Sequence, residues 1–264
     1  MSGVQIKSTG ICADRTLPML NPLFTPAMLS QPLESWDCGV GITADGSGNV
    51  SAWEGQIGGR IMIGAGATRP VNTFNMNGHG ALRFELSKQL DFTNFWGDAA
   101  SSPWAYWAVL DVQSLPAGMA QILFDAVGTT SYLSLSSGQM RNGTGSSLDA
   151  PAATYMPGKI IMVLYGDASD STSKLRINGV TVKQSAGLAA ATFSLGGPGA
   201  IGRYRGTPTQ SLQDTALAAL GFAKGVQTLL NIQKLEGYLA QRFMPANFLP
   251  VAHPYRSVAP RKLT

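Results

Sequence analysis

The sequence predicts an all-β chain, a two-sheet antiparallel sandwich with a C-terminal amphipathic helix, and three observations predict it. Charged residues make up only 13% of the 264 residues and apolar ones 44%, while Gly stands at about 12% against the roughly 7% of average usage. Short apolar or alternating runs recur about every 10 to 15 residues, divided by Gly-rich turns, as in a β-sandwich. Helical periodicity is confined to one segment near the C-terminus. The length suits one large β domain or two small ones.

Residues 1–34 read as an arm rather than as part of the body. Pro18, Pro22, Pro26 and Pro32 forbid a regular helix, yet the apolar Leu17, Met19, Leu20, Leu23, Phe24, Met28 and Leu29 lie between them. A solvated linker would be more polar. The arm is therefore expected to lie on a surface: its own domain, a sister subunit or a larger assembly.

From Ser35 the texture changes to strands. "SAWEGQ" follows the turn-forming "ADGSGN". "ALRFELS" alternates, with Leu82, Phe84 and Leu86 on one side and Arg83 and Glu85 on the other. "PWAYWAVLDV" is apolar on both faces and predicts a central strand. "AQILFDAV" and "SYLSLSS", separated by "GTT", read as a hairpin, and "SKLRINGVTV" carries its own tight "NG" turn after "KIIMVLYG". "ATFSLGGPGAIGRY" and "TALAALGFAK" close the series.

The helix is expected over 226–243. Val226, Leu229, Leu230, Leu235, Leu239 and Phe243 mark one apolar face, and Pro245 prevents continuation. Gly237 costs the helix roughly 1 kcal/mol relative to Ala, which makes sense where another backbone approaches closely. A lone amphipathic helix after many strands must bury its stripe on the sandwich. The remaining residues, 244–264, read as an extended tail that leaves that surface.

The formal charge is +4, and its placement is informative. Arg242, Arg256, Arg261 and Lys262 follow the last acid, Glu236, and the other 15 basic residues match the 15 acids. A neutral body has no basic excess to displace the counterions of a nucleic acid, so no nucleic-acid partner is expected. The basic tail suits an acidic partner surface. Cys12 and Cys38 form no metal-type or redox motif, and a disulfide between them is not demanded. The N-terminal stretch has no apolar core of signal-peptide length, and no run of 18 apolar residues occurs. No membrane insertion is expected, and the chain is read as made and kept in a cytoplasm or released by lysis.

Four stretches in order carry a family resemblance. They are "SWDCGVGITADGSGNVSAWEGQIGG", "RPVNTFNMNGHGALRFE", "KLRINGVTV" and "KLEGYLAQRF" followed by "LPVAHPY", together spanning 35–256. The chain resembles the concanavalin A-like (LamG-type) jelly-roll domains of bacteriophage virion proteins and of some secreted bacterial proteins. The resemblance implies a two-sheet jelly roll and, from the "HPY" ending, a phage or prophage origin. It departs from the family pattern at the helix start, "KGVQTLL", and at Asp37, which Cys38 and Gly39 follow.

Catalytic signatures are sparse. Sugar hydrolysis commonly uses two carboxylates roughly 5 to 10 Å apart, and no E-x-D-x-x-E strand pattern occurs; Glu85 and Asp91 are six residues apart with no strand geometry linking them. His79, in a Gly-rich loop, and His253, before Pro254, have no Ser or Cys in a nucleophile context. Neither a metal site nor a cofactor is expected. Asp167 and Asp170 in "DASDST" could supply calcium ligands, but Asp and Ser are also ordinary turn residues. "GGPGAIG" lacks the Lys-Ser/Thr of a phosphate loop.

Sugar binding needs an aromatic face and planar polar groups. Trp104 and Tyr106 share one face of their strand and Trp107 the other. One face is core, and the other would line an outer sheet surface. The candidate glycan contacts are Trp104, Tyr106, Tyr132, Arg203, Tyr204 and Arg205. The candidate assembly contacts are Leu20, Phe24 and Leu29 in the arm and Phe248, Tyr255 and Arg256 in the tail. The reading is a non-enzymatic phage virion structural protein, a tail adhesin or a head decoration, assembled in the host cytoplasm. Its partners would be other virion proteins, further copies of itself and a host cell-surface polysaccharide. The alternatives are a free carbohydrate-binding module and a glycan hydrolase.

Overall fold

The computed structural model describes residues 23–92, 102–114, 121–126, 131–136, 139–142, 157–193, 198–203 and 211–261. Its strands are β1 (Pro32–Asp37), β2 (Ile42–Ala44), β3 (Val50–Glu54), β4 (Ile61–Ile63), β5 (Val71–Met76), β6 (His79–Phe84), β7 (Leu90–Phe92), β8 (Ser102–Val112) and β9 (Gln121–Ala126). They continue with β10 (Ser131–Ser136), β11 (Gln139–Asn142), β12 (Gly158–Gly166), β13 (Ser173–Ile177), β14 (Val180–Ser185), β15 (Thr192–Phe193), β16 (Gly199–Ile201) and β17 (Thr215–Lys224). The helix α1 (Leu229–Phe243) follows.

The expected all-β sandwich is what forms. One sheet runs β14-β13-β12-β8-β17-β6-β5, with β1 also pairing β17 and β15 pairing the start of β8. The other runs β11-β10-β9-β16-β7-β4-β3-β2. The strand pairings are antiparallel. The doubly apolar "PWAYWAVLDV" is β8, central and flanked by β12 and β17, which are also buried on both faces. β9 and β10 form the expected hairpin. The turn between β13 and β14 places Asn178 at φ 51° and Gly179 at φ 83°, the left-handed pair that a two-residue hairpin needs.

Two cores result, one on each side of the first sheet. Between the sheets lie Trp36, Trp53, Leu82, Phe84, Trp104, Tyr106, Leu110, Met162, Leu164 and Phe222. On the other side Trp107, Val109, Ile161, Val163 and Tyr165 pack under Ile232, Leu235, Leu239 and Phe243 of α1. Period-two alternation splits each central strand between the two cores, which is why these strands are apolar throughout.

The helix starts three residues later than expected. Thr228 caps it, its hydroxyl accepting from Asn231 N at 3.2 Å, and Leu229 and Leu230 are each 41% exposed rather than buried. Leu86, expected on the inner side of "ALRFELS", lies past the end of β6 and is exposed.

Of the surfaces expected to receive the arm, its own domain is the one that the described residues 23–31 lie on. Phe24 and Leu29 are buried in the helix-side core, so they are intramolecular contacts rather than assembly contacts. The boundary expected at residue 34 falls inside β1. The tail does not leave the surface: Phe24 N donates to Pro260 O at 2.9 Å, and Leu23 bridges Arg261, so arm and tail pair with each other. Leu249 and His253 are buried, and Phe248, Tyr255 and Arg256 are half-buried. Gly237 meets the expected close neighbour, and it is the chain's own tail. A Cβ there would lie 2.4 Å from Tyr255 Cβ. Leu20 and Cys12 lie outside the described residues; Cys38 is a buried free thiol donating to Leu217 O.

Candidate functional site

Strand parity decides which surfaces a ligand can reach. Trp104 and Tyr106 are 0% and 1% exposed, between the sheets, and Trp107 on the opposite face is 0% exposed under α1. The expectation that Trp104 and Tyr106 contact a glycan is therefore corrected. Both faces of the first sheet are covered, one by the second sheet and the other by the helix, arm and tail.

Among the described residues, the outer face of the second sheet is exposed around β2–β4 and covered at β16, where Ala200 is 0% exposed. β7 shows its alternation: Leu90 and Phe92 point into the core, so Asp91 belongs to the outer side. Cross-strand register carries that row across the sheet, through Thr43, Ala52, Ile63, Asp91, Ala200, Asp125 and Tyr132. Tyr132 falls opposite Asp125 in this register, and its side chain lies outside the described residues. Ile61 and Ile63 of β4, 49% and 47% exposed, form an apolar shelf beside Asp91.

The polar centre of this face is Gln89 with Asp91. Gln89 is 9% exposed and its Nε2 donates to Asp91 Oδ2 at 2.7 Å. Gln89 Oε1 and Asp91 Oδ1 are buried and accept from no group among the described residues. Two spare acceptors side by side call for donors, and hydroxyl groups or an ordered water supply them. The amide next to a carboxylate was not found by sequence reasoning; the signal was polar residues two apart around the inward Leu90.

Of the remaining predicted contacts, Arg203 is half-buried and its backbone bridges Ser211 just after β16, with Nε unpartnered among the described residues. Tyr204 and Arg205 lie outside the described residues.

The "DASDST" loop has its own cation, Lys174. Its Nζ sits 2.8 Å from Asp167 Oδ2 and 2.7 Å from Asp170 Oδ2, and Ser169 donates to Asp167 through both N and Oγ. Burial opposes ionisation of Asp167, but the Lys174 and Ser169 hydrogen bonds outweigh it and bring its pKa down to about 2. No cluster of three or more His, Cys, Asp or Glu suited to a metal occurs among the described residues.

Two further ionic groups hold the helix-side layer. Glu236 accepts from Arg176 Nε at 2.8 Å and Nη2 at 3.0 Å, and from His253 Nε2 at 3.0 Å, with all three residues buried. Tyr255 N donates to His253 Nδ1, which leaves the ring proton on Nε2 to face Glu236. Asp37 accepts from Arg242 Nε and from Gly39 N, joining the first strand to the helix. His253 was read from sequence as a tail residue before Pro254 with no nucleophile context; its carboxylate partner Glu236 is 17 positions away, across the helix end.

No protein-family model matches the chain, and no curated protein matches it. Solved structures do match, at low identity. Domain 4 of AbnA, a GH43 extracellular arabinanase from Geobacillus stearothermophilus in complex with arabinotriose, is 13% identical, with 79% of this chain and 99% of that one covered and a TM-score of 0.54. The botulinum neurotoxin serotype D binding domain is 9% identical, with 78% and 50% covered and a TM-score of 0.53. A Trypanosoma rangeli sialidase in complex with 2,3-difluorosialic acid is 16% identical, with 80% and 33% covered and a TM-score of 0.52. The chain spans about a third of the length of the sialidases. At these identities the likeness is one of fold, a β-sandwich.

Proposed function

We infer that this chain is a non-enzymatic glycan-binding β-sandwich, carried as a structural subunit of a bacteriophage particle and presenting the outer face of its second sheet to a host-surface polysaccharide. One observation carries the binding reading. Beneath the outer side of the second sheet, the buried Gln89 Oε1 and Asp91 Oδ1 accept from no described residue, and the exposed Ile61 and Ile63 form a shelf beside them. A pyranose C–H face covers the shelf, and an ordered water links the two buried acceptors to its hydroxyls. The fold likeness to glycan-related sandwiches agrees with this.

The virion part rests on the four sequence stretches and the order in which they occur. With Phe24 and Leu29 committed to the chain's own core, the surface available for assembly moves to Leu23, Val251 and Val258, 55%, 83% and 55% exposed. A homo-oligomer through that patch is expected. Hydrolysis is the second reading, favoured by the placement of positions 91 and 125 in one row on either side of β16, about 10 Å apart by strand spacing.

A glycan array probed with the full chain, followed by calorimetry, tests the binding reading. Binding to a surface polysaccharide should fall about tenfold or more in both Asp91→Asn and Ile63→Arg, with unfolding midpoints unchanged. Absence of binding at millimolar glycan, or binding indifferent to both changes, would end it. Release of reducing ends that Asp91→Asn abolishes would move the assignment to a hydrolase. Mass spectrometry of purified phage particles and light scattering test the rest; absence from particles together with a clean monomer overturns it.

A further inference from the structure

The far end of α1 lies on the helix side of the first sheet, away from the second sheet. A cavity of about 570 Å³ opens there between the helix end, the β5–β6 turn and the tail. Its size is that of small-molecule sites. Asn77, Gln241, Asn247, Ser257 and Arg256 line it, together with Phe248.

The charge of this cavity is unbalanced. Arg256 is half-buried, and its Nε donates to Asn247 O at 3.3 Å, a bond to a neutral carbonyl that leaves its charge in place. No Asp or Glu lines the cavity. Two other cations of this layer are paired: Arg242 with Asp37, and Arg176 with Glu236. The C-terminal end of a helix repels anions, but here two of its carbonyls are occupied. Asn77 Nδ2 donates to Arg242 O, and Met244 N donates to Ala240 O. Arg256 thus sets the local sign.

We propose that this cavity binds a carboxylate-bearing saccharide, with Arg256 taking the carboxylate in the planar, two-pronged manner of guanidinium–carboxylate pairs. Three carboxamides and a hydroxyl each donate and accept, which matches sugar hydroxyls, and Phe248 offers a ring face. A bare carboxylate or a peptide C-terminus would use Arg256 and leave the carboxamides idle. This site does not depend on the sheet-face reading.

Full-chain titrations with glucuronic acid, glucose, acetate and a short peptide bearing a free C-terminal carboxylate, followed by heteronuclear NMR, test it. Glucuronic acid should shift the amides of Gln241, Asn247 and Ser257 and bind more tightly than glucose or acetate. Arg256→Gln should weaken it about ten- to a hundredfold, to the level of glucose. Gln241→Ala, at an exposed helix position, should weaken it without altering the unfolding midpoint. Asp91→Asn, on the other sheet, should leave it unchanged. Equal binding of glucose and glucuronic acid, equal binding of acetate, preference for the peptide, no binding at all, or sensitivity to Asp91→Asn in place of Arg256→Gln would each overturn the proposal.

Discussion

Asp167 illustrates how a loop carboxylate becomes structural. It sits under Tyr165 with Lys174 and Ser169 bonded to it, and its pKa is about 2. A carboxylate whose folded value lies below its unfolded one stabilises the protein at neutral pH. That contribution is complete above about pH 4 and is lost as pH falls through about 2. Its size is up to about 2 kcal/mol. Urea unfolding between pH 6 and 2 should therefore show a steeper acid loss for the native chain than for Asp167→Asn. Parallel curves would refute the assignment. Added calcium should change neither curve, since Lys174 holds the cation position between Asp167 and Asp170.

The helix is the element on which the second core depends. Its buried face is Ile232, Leu235, Leu239 and Phe243, and its glycine is set by the tail rather than by helix propensity. Gly237→Ala would gain about 1 kcal/mol in isolated-helix propensity. In this fold the new methyl meets Tyr255 Cβ, and overpacking of that kind costs about 1–3 kcal/mol. A net fall in the urea midpoint is expected, together with faster hydrogen exchange from His253 to Arg261. A stabilised variant would show that the tail does not lie on the helix. The same element holds Glu236, the last acid in the chain, between Arg176 of β13 and His253 of the tail.

At the scale of the whole molecule, the chain is a three-layer object: sheet, sheet, and a layer of helix with both termini. Phe24 is held by Pro260 of the tail, so the described parts of arm and tail are one structural unit. Removing residues 250–264 would take away the His253 bond to Glu236, the Tyr255 cover over Gly237 and the partner of Phe24 N. A loss of about 2–5 kcal/mol is expected, with the Phe24 amide losing its exchange protection. A truncated chain of unchanged stability would restore the tail as a free assembly arm.

The sandwich was legible because strand and helix periods are local. Alternation in "ALRFELS", the doubly apolar "PWAYWAVLDV" and the "NG" turn each report burial within a few residues of themselves. The close approach at Gly237 was legible for the same reason, since a glycine in a helix costs free energy wherever it stands. What the sequence could not supply is the identity of the partner across space. Whether Trp104 and Tyr106 or Trp107 faced outward could not be read from β8, because both of its faces are apolar, and in the fold both are buried. Asn77 meets Phe248 and Arg256 of the tail at one cavity from a distant position in the chain. The sequence by itself determined the layers, because periodicity is a local property of the backbone. Only the tertiary structure decided which faces stay open to a ligand and where the ends lie, because those follow from which apolar surfaces cover one another.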